Sequence, residues 1–208
     1  MSSNVYDYVI IGAAQAGLST AYHLQKRNKN FLIVDGGNEI GESWLNRWDS
    51  LKLFTTTEYN HLPGFEFNAP KGHYPSKVEV AQYFKNYVNH FSFPVQLNTL
   101  ITSVSKKDGV FHLEHDKGSF YAVQVIIATG PFHTPYTPPC HRNISESVVQ
   151  LHSNYYKGLS QLQDGDALVV GAGDSGYQIL DEISKCGKRK VYFSGDTTVK
   201  SIPQQFLG

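Results

Sequence analysis

Two short glycine runs carry the chemistry that this sequence can do. Gly12-Ala13-Ala14-Gln15-Ala16-Gly17 stands close to the first residue, and Gly171-Ala172-Gly173-Asp174-Ser175-Gly176 follows 159 positions later. A dinucleotide site needs a glycine for a tight turn, a second where backbone approaches pyrophosphate, and a third where helix packs on strand. The helix that begins there points free N–H groups and a positive dipole end at the phosphates. Gly12 and Gly17 fill the first and third roles, and Ala14 stands in the middle one. Gly171, Gly173 and Gly176 fill all three. Asp35 follows Gly12 by 23 positions, where a carboxylate accepts hydrogen bonds from ribose hydroxyls and repels a 2′-phosphate. A structural turn beside a solvated acid remains the plain alternative at each run.

The flanking elements decide how much such a run means. Residues 5–11 form a β-branched apolar run and predict a buried strand. A helix over 18–27 follows, with Lys26 and Arg27 in its last turn. Residues 31–34 predict a second buried strand, which Asp35 ends. This is a βαβ unit. Residues 167–170, the second glycine run, a helix ending near Cys186 with Gly187 as its stop, and 190–194 repeat the pattern. Between the two lie an irregular aromatic stretch over 36–78 and a helix over 78–91. An antiparallel meander is expected over about 95–127, with strands at 95–97, 100–105, 110–115 and 119–127. A proline-rich linker follows at 131–139. The expected fold is α/β. It has a first Rossmann-like domain over residues 1–150 with its meander, then an incomplete second Rossmann-like unit over 151–208.

Composition removes several function classes. Of 208 residues, 40% are hydrophobic and 17% charged, enough apolar material for a packed core. Lys plus Arg and Asp plus Glu both number 18, so the formal net charge is zero, against nucleic-acid binding. No apolar run is long enough for a membrane span. Met1-Ser2-Ser3-Asn4 has no leader character, so a cytoplasmic protein is expected. Cys140 and Cys186 are too far apart for a redox dithiol of CxxC type. The nine histidines show no metal-ligand spacing, so no metal is expected.

The two turns and the meander ending in Ala128-Thr129-Gly130 together resemble the two-dinucleotide-binding-domain flavoproteins. The closer resemblance is to bacterial flavin-containing monooxygenases of the cation-efflux-associated oxidoreductase type. Gly41-Glu42-Ser43-Trp44, Arg47-Trp48-Asp49-Ser50-Leu51, Gly72-His73-Tyr74-Pro75 and Ala128-Thr129-Gly130-Pro131 add to the likeness, which covers essentially the whole chain. The resemblance implies FAD on the first turn, held by Gly12, Ala14, Gln15, Ala16, Gly17, Asp35, Gly36, Thr129 and Gly130. Ser43, Trp44 and Arg47 would then neighbour the flavin, and Val104 the adenine. It implies a nicotinamide dinucleotide on Gly171, Gly173, Asp174, Ser175 and Gly176, with Asp196 nearby.

The activity implied is an NAD(P)H-dependent monooxygenase. It takes a small-molecule substrate and O₂ and oxygenates a soft sulfur or nitrogen nucleophile through a peroxyflavin. Phe54 or Thr55 stands where animal-type enzymes place an asparagine near the flavin, and Asn60 is a neighbouring polar candidate for a catalytic role. The family signature F-x-G-x-x-x-H-x-x-x-aromatic is half present: His152 and Tyr156 fit, while Glu146 and Val148 replace its Phe and Gly. Asp196 disfavours a 2′-phosphate, with Lys200 as an offset, so NADH is expected over NADPH. Family members extend well beyond this length, so a C-terminally truncated form is expected, with a homodimer covering the open edge of the second unit. A nucleotide-binding module without full turnover and an uncoupled NAD(P)H oxidase remain the alternatives.

Overall fold

The computed structural model describes residues 5–196, and its chain separates into two compact units. Lys200 and the first four residues lie outside the described residues. The first unit comprises Met1–Leu45 and Thr56–His133, and the second Asn46–Thr55 and Thr134–Gly208. The mixed α/β architecture is the Rossmann-like one expected from the repeated βαβ pattern.

In the first unit, β1 (Val5–Ile11), α1 (Gln15–Gln25) and β2 (Phe31–Val34) form the leading βαβ motif. All four residues of β2 are buried, as the apolar run requires for a strand covered on both faces. A short helix, α2 (Glu42–Leu45), and a 3-10 turn at Thr57–Tyr59 break the stretch that reads as irregular. The long helix α3 (Lys77–Phe91) starts at a capping box. The Ser76 side chain accepts the Glu79 N–H, and the Glu79 carboxylate accepts the Ser76 N–H. Strands β3 (Val95–Gln96), β4 (Ile101–Lys107), β5 (Val110–His115) and β6 (Gly118–Ile127) complete a six-stranded sheet of order β3-β2-β1-β6-β5-β4.

Four strands of that sheet are parallel, with Ile10 opposite Ile33 on one side and Ile126 on the other. Val9, Ile10, Ile33, Val34, Leu18 and Leu113 are fully buried at its centre. The sequence places the strand near 95 inside the antiparallel meander, and here the structure differs. β3 pairs in parallel with β2, and only β4, β5 and β6 form the meander. The buried β2 needs hydrogen-bond partners on its second edge. The Ile33 N–H finds the Pro94 carbonyl, and the Asp35 N–H finds that of Gln96.

The second unit contains a two-stranded parallel sheet of β7 (Ala167–Val170) and β8 (Val191–Ser194), joined through α4 (Asp174–Lys185). Ile179 and Ile183 of α4 and Val169 of β7 are buried together. Residues 46–55 join this unit rather than the one that precedes them in the chain. The Asp49 N–H donates to the Lys157 carbonyl over 2.7 Å.

Candidate functional site

The first glycine run is a strand-to-helix turn with little spare room. The Gly12 N–H donates to the Val34 carbonyl over 2.8 Å, which closes the turn across the sheet. Gly12 has φ +113°, and a Cβ there would lie 2.4 Å from the Ala128 carbonyl oxygen. A side chain is excluded twice, by backbone conformation and by the chain leaving β6. Gly17 packs so closely that a Cβ would meet the Gly12 carbonyl at 1.9 Å. Ala14 is the N-cap of α1, with an extended backbone at φ −102° and no side-chain cap. The first-turn N–H groups therefore point outward without a side chain across them, the arrangement that takes up a phosphate.

Asp35 closes one side of this turn. One carboxylate oxygen accepts the Ala13 N–H at 2.7 Å, and the other accepts the Gly37 N–H at 2.8 Å. The ribose-acid assignment did not anticipate these two backbone contacts. Both oxygens keep further lone pairs for hydroxyls, and their orientation is now set. Thr129 is brought to the same place, its backbone nitrogen 3.3 Å from where a Gly12 Cβ would sit. Gly130 follows with φ +74°, and Gly36 is exposed. Gln15 and Ala16 are exposed on the opening turn of α1.

The second run reproduces the geometry. Gly171 has φ +113°, and its N–H donates to the Ser194 carbonyl over 2.8 Å. A Cβ on Gly176 would meet the Gly171 carbonyl at 2.1 Å. Gly173 caps α4 at φ −85°, again with no side-chain cap, and Asp174 and Ser175 open the helix. Among the described residues, nothing lies within 4 Å of a Cβ on Gly171 or Gly173. Matching Ser194 to Val34 makes position 195 the counterpart of Asp35. Glycine occupies it, and Asp196 falls one place later. A Cβ on Gly195 would press to 2.9 Å against the Ala172 nitrogen.

The other sequence-assigned residues separate. Ser43 and Trp44 sit on α2 in the first unit, while Arg47 belongs to the second, where its guanidinium donates to the Asn154 side-chain oxygen at 3.1 Å. Val104 lies on β4, exposed and opposite Leu113. Phe54 and Thr55 belong to the second unit and Asn60 to the first. Phe54 is 56% exposed. The Asn60 side-chain amide donates to the Thr56 carbonyl at 2.9 Å.

His152 and Tyr156, the matched half of the family signature, build a turn in the second unit. His152 Nδ1 accepts the Asn154 N–H at 3.1 Å. Tyr156 is buried and donates to Glu182 of α4 at 3.1 Å. Burial and the adjacent Glu182 carboxylate raise the Tyr156 pKa, so the phenol stays protonated as a donor. Among the described residues, no group of three or more His, Cys, Asp or Glu is placed to hold a metal, and no helix is long and apolar enough to cross a membrane.

Comparison with known proteins places this geometry. Residues 9–205 match the family described as pyridine nucleotide-disulphide oxidoreductase. Oxidoreductase CzcO of Bacillus subtilis strain 168 is 43% identical over 196 residues, covering 91% of this chain and 57% of that protein. A probable indole-3-pyruvate monooxygenase of Arabidopsis thaliana, YUCCA1, is 28% identical over 98% of this chain and 50% of its own. Among solved structures, a flavin-containing monooxygenase from Stenotrophomonas maltophilia superposes with a TM-score of 0.85 at 29% identity, covering 99% of this chain and 60% of that one. The chain thus spans between half and three fifths of the length of these relatives. With two glycine turns of one geometry and a family match running from β1 past β8, the chain belongs to the pyridine nucleotide-disulphide oxidoreductase family.

Proposed function

We propose that this chain provides the two nucleotide turns of an FAD-dependent, NAD(P)H-using oxidoreductase of the flavin-containing monooxygenase type. The observation that carries the reading is the recurrence of one turn geometry twice in one chain, each at an uncapped helix N-terminus. Gly12, Gly17 and the opening N–H groups of α1 fit the pyrophosphate of FAD, and the fixed carboxylate of Asp35 fits its ribose. Gly171, Gly173 and Gly176 fit the pyrophosphate of NADH or NADPH in the same way. When bound, the flavin supplies hydride acceptance and oxygen activation, the chemistry needed to oxygenate a soft sulfur or nitrogen nucleophile. The protein's own part is to hold both dinucleotides and to exclude water from the transfer.

The test is the visible spectrum of purified protein, followed by titration with NADH and with NADPH under air. A flavin band near one per chain, bleached by a nicotinamide and restored by oxygen, supports the reading. Substrate-dependent oxygenation separates a monooxygenase from an oxidase whose peroxide yield equals the nicotinamide consumed. A protein that stays colourless after incubation with FAD overturns it.

A further inference from the structure

The second turn carries negative charge where its ligand would be negative too. Asp174 opens α4, and Asp196 follows β8, both exposed. The basic residues of this βαβ unit stand elsewhere. Lys185 pairs with Asp181 near the far end of α4 at 2.6 Å. Arg189 donates to the Gln163 and Gly165 carbonyls, and Lys190 leads into β8 through an N–H bond to Asp166. Within the described residues of the βαβ unit itself, no Lys or Arg stands near the start of α4.

Residues 46–55 supply one. Among the described residues the strap is tied to the second unit by Asp49 N–H to the Lys157 carbonyl, the Lys157 ammonium to the Asn46 carbonyl, Arg47 to Asn154, and the Gln178 side-chain amide to the Lys52 carbonyl at 3.1 Å. Gln178 lies four residues into α4 from Asp174, about 6 Å along the axis at 1.5 Å per residue. Lys52 is exposed, and its tie to Gln178 runs through its backbone carbonyl, so that bond anchors the residue on the second turn of α4 and leaves the side chain to reach. A lysine side chain covers that distance.

We propose that Lys52 is a nucleotide-binding residue of the second turn, supplying from a remote strap the cation that neutralises the pyrophosphate of the nicotinamide dinucleotide. This inference rests on the nicotinamide reading of the second turn. Charge balance argues for it: a dianionic pyrophosphate next to Asp174 is repelled unless a cation is brought in. The strap also explains why residues 46–55 leave the unit they follow in sequence. Their docking on α4 delivers the charge.

The experiment is equilibrium titration of the flavin-loaded protein with NADH and NADPH at low and moderate salt. Lys52→Ala is expected to raise Kd for both dinucleotides about fivefold at low salt and to flatten the salt dependence. Lys52→Arg should stay near wild type. Lys188→Ala, beyond the far end of α4, changes the net charge equally and should leave both affinities unchanged. Because Gln178 holds only the Lys52 backbone, Lys52→Ala keeps the strap docked. Gln178→Ala loosens it and should weaken binding with Lys52 still present. Unchanged affinity in Lys52→Ala overturns the proposal, as does a loss confined to NADPH, which would place the ammonium at the 2′-phosphate. If the wild-type flavoprotein binds neither dinucleotide, the nicotinamide reading itself fails and takes this inference with it.

Discussion

The two glycine turns have the same backbone and different surroundings. In both, the first glycine sits at φ +113° and donates 2.8 Å to the strand across, and the last is pressed against its carbonyl. The middle residue has negative φ in each, so conformation does not require glycine there. Alanine at 14 is unstrained, and only the closeness of a ligand distinguishes it from Gly173. Around the first turn stand the end of β6 and the fixed carboxylate of Asp35. Over Gly171 in the second, no described residue comes within 4 Å of a Cβ, and a glycine stands in place of the acid. The comparison teaches that the turn itself is a local device, and that its enclosure comes from the rest of the sheet.

The sharpest way to break this comparison is to place the same methyl in both turns. Gly12→Ala combines a left-handed backbone with a backbone clash and should cost about 3–4 kcal/mol. Gly171→Ala meets no neighbour among the described residues and should cost about 1–2 kcal/mol from conformation alone. Denaturant unfolding of the two variants measures both. Equal losses would show that Ala128 does not enclose the first turn.

A smaller effect is expected from Asp35→Asn. One amide oxygen can still accept a backbone N–H, while the –NH₂ faces the other donor, so a loss of about 1–2 kcal/mol should accompany weaker flavin retention. Flavin retention at wild-type level would mean that the carboxylate serves the turn and not the ribose.

The smallest concerns α3, a helix without counterpart among the described residues of the second unit. The Ser76 backbone N–H holds the Glu79 carboxyl below its ordinary range, with smaller help from the Ser76 hydroxyl and His73. A depressed carboxylate stabilises the fold above its unfolded pKa, and that stability is lost as pH falls through the folded value. Wild type should therefore have a higher melting temperature than Glu79→Gln at neutral pH, with the gap closing in acid. The Glu79 side chain is 42% exposed, so the shift should be modest. A gap that persists at low pH would remove the capping explanation.

Much of the fold is legible in the residues. The strands at 5–11, 31–34, 110–115 and 167–170 stand where the sequence predicts them, and at 31–34 burial on both faces leaves a continuous apolar signal. The partner of β3 was not legible. Two residues after a helix carry no mark of parallel or antiparallel pairing, and the open edge of β2 settled it. The exposure of Phe54 was not legible either, since an apolar side chain on an irregular stretch reads the same inside a core or out in solvent.

The sequence by itself determined two βαβ units and the need for glycine at Gly12, Gly17, Gly171 and Gly176, since each follows from contacts within one turn or across neighbouring strands. Only the tertiary structure decided that Asp35 grips the Ala13 N–H, that residues 46–55 join the second unit, and that Lys52 is carried to α4. Those outcomes depend on hydrogen bonds that join residues far apart in the chain, such as Lys52 and Gln178. Side-chain amides and backbone carbonyls are common to every loop, so their pairing leaves no local pattern to read.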